Sequence, residues 1–314
     1  MAGFLVRRLG GLLFALLVLS VIVFLTLEFL PGDVAQILLG TEVRDDTLAA
    51  LRTAFGLDRP AWDRYLGWIA GFATGDLGTS RIYGVPVAKL IVDRVAVSLP
   101  LAGMAFLIAV LLAFPLGLLA ASRRGRAGDY AVMGFSQLGL ALPNFWLGLL
   151  LILSFAIALP WARAGGFPGW GNGVGAALGA LVLPAVTLAL GEAAILARVL
   201  RTALLETLGE DYIRTARAKG LSPRAVLFGH ALRNGMMPVL TILGLQLGYL
   251  VAGAVVVESV FTLPGLGQLL VQSIFQRDFA VTKSVVMLFA SFVVAVNTLV
   301  DIAYHLVDPR AGRG

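Results

Sequence analysis

Charge is almost absent from long stretches of this chain. Leu9 to Leu27 and Val97 to Ala121 hold no ionisable side chain. Runs of that length and character cross a bilayer as helices, because only a helix satisfies its own backbone groups in hydrocarbon. Charged residues make up 13% of the 314 residues and hydrophobic ones 59%, with a mean hydropathy of +0.92. A soluble domain carries about a quarter charged residues. The expected fold class is an all-α polytopic membrane protein of about six transmembrane helices.

Taken in order, residues 1–30 read as a first transmembrane helix with a cytoplasmic N-terminus. A cleaved signal peptide fits less well, since the run is long and no small-x-small site follows it. Residues 31–96 read as an external amphipathic region. Pro31-Gly32-Asp33 breaks the first span, Asp46 caps a helix carrying Leu48, Leu51 and Phe55, and Trp62, Tyr65, Leu66, Ile69 and Phe72 recur at helical spacing. Those aromatics suit a helix at headgroup level, with peptide stacking as the alternative. Gly75-Asp76-Leu77-Gly78 is a turn, and Pro86 to Val95 a short helix feeding the next span.

Residues 97–306 read as a five-helix membrane core with spans over about 97–121, 130–159, 177–200, 237–257 and 281–306. The core contains a cytoplasmic loop, 201–236, and is followed by a cytoplasmic tail, 307–314. Arg7, Arg8, Arg123, Arg124, Arg126, Arg310 and Arg313 fall on one side of this topology. Short loops on the other side carry Arg163, Arg277 and Lys283. The arginine-rich side is the cytoplasmic one, which also accounts for a pI near 10.1 without nucleic acid as a partner. Membrane lipid is the implied surroundings.

Polar residues inside spans are the candidate pathway lining: Asn144, Gln246 and Glu258. Asn144 has a second use, bonding the backbone freed by Pro143. Glu192 can pair with Arg198 or Arg201, or line the pathway. Asn297, Asp301 and His305 share a helix face, but one file of three ligands does not enclose an ion, so no metal site is expected. Cysteine is absent. None of the three lysines, Lys89, Lys219 and Lys283, follows a glycine, so the chain carries no phosphate-binding loop of the Walker type. No nucleophile–base set is evident either, and the chain is not expected to be an enzyme.

The segment Glu206 to Asn234 is the polar exception. Helix formers over Tyr212 to Lys219 run into Gly220, a candidate helix stop, and Ser222-Pro223 starts a new helix. Two short helices with a glycine turn between them would form a rigid docking knob. Tyr212-Ile-Arg-Thr-Ala-Arg-Ala-Lys-Gly220 with His230-Ala-Leu-Arg-Asn234 resembles the cytoplasmic loop of ABC-importer permeases of the dipeptide/oligopeptide/nickel class. Pro31-Gly32-Asp33, Gly56-Leu57-Asp58-Arg59-Pro60, Gly75-Asp76-Leu77-Gly78 and Val300 to Arg310 resemble the same family. Glu192-Ala193-Ala194 matches the wider importer signature only superficially, because the spaced glycine is missing.

The resemblance implies a type I ABC-importer permease whose docking surface for the ATPase comprises Glu210, Asp211, Tyr212, Ile213, Arg214, Thr215, Ala216, Arg217, Ala218, Lys219 and Gly220. It implies a second homologous permease subunit, two cytoplasmic ATP-binding subunits and an external solute-binding protein. ATP and magnesium belong to the partner ATPases, and this chain binds no cofactor of its own. The alternative from another class is a self-sufficient secondary transporter or channel, which would call for paired intramembrane charges and repeated halves.

Overall fold

The computed structural model describes residues 2–29 and 58–307. Pro31-Gly32-Asp33, the helix expected after Asp46, Gly56-Leu57 and the ending with Arg310 and Arg313 lie outside the described residues, as do the side chains of Asp301 and His305. Among the described residues the regular elements are helical, apart from one isolated antiparallel bridge between Thr79 and Pro86. The helices are α1 (Ala2–Glu28), α2 (Ala61–Thr74), α3 (Val87–Ser122), α4 (Ala127–Ala141), α5 (Asn144–Leu151), α6 (Val174–Gly209), α7 (Asp211–Ala218), α8 (Pro223–Val226), α9 (Leu232–Val260), α10 (Leu266–Phe275) and α11 (Phe279–Val307). Five helical stretches are long and apolar enough to cross a membrane. The count becomes six if the bent pair Ala127–Ala141 and Asn144–Ala158 is one span.

Several expected boundaries move. The short helix before the second span does not exist separately, because α3 runs unbroken over 36 residues through Pro100 and Pro115. The third span is broken instead. Leu142 and Pro143 are extended, and the two halves meet at 106°. Lys283, expected in an outside loop, is helical. The chain divides into two compact units, Met1–Val95 with Leu269–Val294, and Ala96–Gln268 with Ala295–Gly314.

In the first unit, Phe24 of α1 meets Tyr65 edge-on at 5.4 Å and stacks on Trp68 at 6.3 Å. The ammonium of Lys283 sits over both Phe24 and Trp68, 5.4 and 5.5 Å from the ring centroids, a cation–π arrangement that shelters its charge. Arg64 pairs with Glu28, and the Ser20 and Tyr65 hydroxyls lie 2.8 Å apart. The inward face of α2 is therefore Tyr65 and Trp68, while Trp62 and Leu66 stay exposed. Asp278 accepts from the Ser80 hydroxyl at 2.5 Å and from the Val281 amide at 3.4 Å. It thus ties the turn after Gly78 to the start of α11.

The second unit is built around α6. Leu181, Leu188, Leu196, Leu200 and Leu204 are fully or almost fully buried, and alanines fill the positions between them. Small residues let α6 approach its neighbours closely. α6 packs on α4 and α9. Its basic residues serve the first contact, where Arg201 forms a bidentate pair with Asp129, Nε–Oδ1 2.5 Å and Nη2–Oδ2 2.8 Å. At 1.5 Å per residue its 36 residues span about 54 Å. A hydrocarbon core is about 30 Å thick, so this one helix is long enough to cross a membrane with several turns to spare.

Candidate functional site

Glu210 is extended (φ −69°, ψ 150°) and separates α6 from α7. Asp211 in the first turn of α7 and Arg217 in the last suit the helix dipole. Ile213 and Ala216, three apart, are buried at 0% and 6% exposure and belong to the same core as Leu204, Val226 and Ala231. Glu210, Asp211, Arg214, Thr215, Arg217, Ala218, Lys219 and Gly220 are exposed, and Tyr212 is 42% exposed. Its hydroxyl accepts from Asn234 Nδ2 at 3.0 Å. The helix is thus bolted down by two apolar residues and one side-chain bond, with its charged side turned out.

The end of α7 is a Schellman motif. The Gly220 amide donates to the Arg217 carbonyl at 2.9 Å and the Leu221 amide to the Ala216 carbonyl at 3.4 Å, with Gly220 at φ +82°. That backbone conformation favours glycine because a β-carbon would crowd its neighbouring carbonyl. Ser222 then accepts from the Ala225 amide at 3.3 Å, with Pro223 in the first turn. The second helix of the knob is not a separate one, however. α8 passes through a widened π turn, Leu227–Ala231, directly into α9, so that Pro223–Val260 is one helical stretch. The polar segment is one short helix held between two long legs. Their feet touch where Gly235 faces α6; a β-carbon there would lie 3.1 Å from Thr207 Oγ1 and 3.3 Å from the Ala203 carbonyl. Between them lies a cavity of about 510 Å³, lined by Glu206, Thr207, Glu210, Tyr212, Asn234 and Pro238 among others.

The three residues expected along a pathway do not gather at one point. Gln246 is buried at 2% exposure and donates to the Glu192 carbonyl at 2.8 Å, joining α9 to α6. Glu258 is fully buried. It accepts from Ser98 Oγ at 2.5 Å and from the Gly267 and Gln268 amides at 2.7 and 3.1 Å, which makes it a cap on α10. Twelve residues separate these two on α9, about 18 Å of rise. Asn144 begins α5 at the break, half-buried, beside Gly191 of α6 and Gly253 of α9. Among the described residues no cluster of three or more His, Cys, Asp or Glu could hold a metal.

Sequence reasoning passed over Ser98 and Gly235. Ser98 stands 160 residues from Glu258 and carries no local signal. Gly235 follows Asn234 at the end of the quoted segment and was legible there as a small residue at a helix contact.

Long apolar helices, with one short polar and partly buried helix between two of them, define a polytopic membrane protein. The comparisons with known proteins narrow this. Residues 113–313 match the family described as binding-protein-dependent transport system inner membrane component, and residues 1–102 match the N-terminal part of such components. The chain belongs to that family and is a membrane-spanning permease of an ABC importer. It is 37% identical over 310 residues to a probable peptide ABC transporter permease of Sinorhizobium fredii, covering 99% of each chain. It is 38% identical over 309 residues to the glutathione transport permease GsiC of Escherichia coli, covering 98% of each. The oligopeptide transport permease AppB of Bacillus subtilis is 38% identical over 313 residues, 99% of each. Among solved structures, a chain of the inward-facing MetNI methionine ABC transporter shares the fold with a TM-score of 0.58 and 21% identity, over 70% of this chain and 97% of that one.

Proposed function

We propose that this permease forms part of the membrane pathway for peptides or a related small solute, and that α7 is the surface on which a cytoplasmic ATP-hydrolysing subunit docks. The observation that carries the docking role is the division of α7 into a buried side, Ile213 and Ala216, and an exposed side, Arg214, Arg217 and Lys219, held between the ends of two spans. The names of its full-length relatives support the solute class.

In this reading, ATP and magnesium act on two partner ATPases, a second homologous permease completes the pathway, and an external binding protein delivers the solute. The region 31–96 lies outside, 97–306 is the working core, and both termini lie in the cytoplasm, as the arginines at 7, 8, 123, 124 and 126 support. Closure of the ATPases on nucleotide would move α7. Its flanking legs, α6 and α9, would tilt with it and switch the access of the pathway. The driving energy is the difference in nucleotide affinity between the two states.

The test is reconstitution. The purified chain alone should hydrolyse no ATP, while the complex with ATPases, second permease and loaded binding protein should hydrolyse it and accumulate peptide. Because the chain has no natural cysteine, a single cysteine at Arg124 reports sidedness; its labelling from outside would overturn the topology.

A further inference from the structure

α4 lies against α6 in the opposite chain direction, with Asp129 beside Arg201 and Gly139 beside Ala194. Asp129, Val132, Ser136 and Gly139 recur every third or fourth residue and share the contact face. The first three are buried. A β-carbon on Gly139 would lie 2.5 Å from that of Ala194, so the helices touch almost backbone to backbone there. Small residues allow this approach, but so shallow a surface resists sliding and rotation only weakly. The Ser136 hydroxyl has no hydrogen-bond partner, and Arg198 reaches the exposed Gln137 only at 3.5 Å. Register and orientation therefore fall to the ion pair at the foot.

Both oxygens of Asp129 are engaged. Oδ1 accepts from Arg201 Nε, while Oδ2 accepts from Arg201 Nη2 and, at 2.9 Å, from the Gly125 amide. One buried carboxylate thus gathers the turn between α3 and α4, the first turn of α4, and α6. A side-on pair with two parallel bonds fixes the planes of both groups as well as their separation. Arg201 stands nine residues before Glu210, about 14 Å of rise from the start of α7. Gly139 stands three residues before Leu142, where the third span breaks at 106°. Beyond the break α5 packs on α6 and α9 together, whereas α4 packs on α6.

We propose that the Asp129–Arg201 pair is the joint that carries movement of α6 into α4 and so changes the bend at Leu142–Pro143, beside which Asn144 lies. Both are positioning residues, acting through the helix they hold. With the pair intact, the foot of α4 must follow the foot of α6, and α4 pivots at the close contact of Gly139. Without it, α4 slides on its small-residue face and the bend stays as it is. The source of the movement rests on the docking role of α7 above, whereas the link from α6 to the break does not.

The test uses the importer assembled with its ATPases. A nitroxide on Ala141→Cys, at the exposed last residue of α4, reports the break, and this chain has no natural cysteine to compete for the label. With the pair intact, the spectrum should differ between the nucleotide-free complex and the complex trapped with ADP and vanadate. Arg201→Lys keeps the charge but not the side-on geometry, and should cut that difference to about half or less. Asp129→Asn should cut it at least as far. ATPase recovery and ATP hydrolysis without solute should stay at their original levels in both. A pair that serves stability alone would lower the melting temperature of the complex and leave the nitroxide response unchanged, and that result would overturn the joint. So would a spectrum indifferent to nucleotide when the pair is intact. Should Asp129→Asn fail to assemble, Arg201→Lys carries the decision. Normal ATPase recovery with Gly220→Val would instead remove α7 as the docking surface and leave the link from α6 to the break standing.

Discussion

The two ends of α9 are held in opposite ways. Its later end is clamped by a fully buried carboxylate: Glu258 gathers Ser98 from α3 and two amides of α10, while Ser98 in turn accepts from the Leu266 amide at 2.8 Å. A β-carbon on Gly265 would lie within 2.4 Å of that carboxylate, so the loop is drawn tightly around it. Its earlier end is held by close packing at Gly235 and by an exposed bond from Asn234 to Tyr212. Buried charge-assisted bonds are strong and costly to orphan, whereas exposed neutral ones exchange readily with water. The later end is thus held by charge-assisted bonds, and the earlier end by apolar packing and one neutral bond.

Breaking the fastened end should have the largest effect. Glu258→Ala leaves the half-buried Ser98 hydroxyl and the Gly267 and Gln268 amides without their acceptor, and each buried donor so orphaned costs about 1–3 kcal/mol. The expected result is a drop in membrane abundance and in thermal stability of the purified complex. Normal abundance would show that the clamp is dispensable.

Gly235→Leu comes next. Its side chain must displace Thr207 and the Ala203 backbone, and overpacking of this kind costs about 1–3 kcal/mol. Splayed feet should lower uptake more than abundance, and equal losses in both would make Gly235 purely structural.

At Gly220 a β-carbon meets no neighbouring atom, so the cost of Gly220→Val is the backbone strain of positive φ, roughly 1 kcal/mol or more. The variant should reach the membrane in normal amount yet recover less ATPase on co-purification and transport poorly. Uptake at the original level would remove this turn from the coupling path.

Tyr212→Phe deletes only the half-exposed bond to Asn234, worth about 0.5–1.5 kcal/mol at most. Stability should barely change, and any loss should appear as weaker stimulation of ATP hydrolysis by solute. The exposed pair Arg214–Asp211, with 75% and 92% of its side chains accessible, marks the bottom of the scale. Asp211→Asn should leave the melting temperature unchanged within error.

The contrast between the ends of α9 also separates two kinds of information. Gly220, Ser222 and Pro223 act on backbone within a few residues of themselves, and the stop and start they form were readable without a fold. The charge-free runs were equally legible, because hydrophobicity over a window is a local property. Proline was a poorer guide. Pro100, Pro115, Pro184 and Pro238 all lie inside unbroken helices, yet Pro143 begins a new one. A proline removes one amide donor and disfavours helix in the residue before it. Whether the helix then bends or ends is decided by what surrounds it, and Gly191 and Gly253 leave room beside Asn144 for the break.

Sequence by itself therefore determined the membrane-spanning class, the positions of the apolar runs and the helix grammar around Gly220, since each follows from residues close together in the chain. Tertiary structure alone decided the partnerships. Gln246 and Glu258 became helix-joining residues because Glu192 and Ser98 were brought beside them, from 54 and 160 residues away. Arg201 went to Asp129 across 72 residues, which left Glu192 without an arginine. A buried polar group takes whatever complementary atom the packing of apolar neighbours places within about 3 Å, and that placement depends on the whole bundle rather than on any one stretch of it.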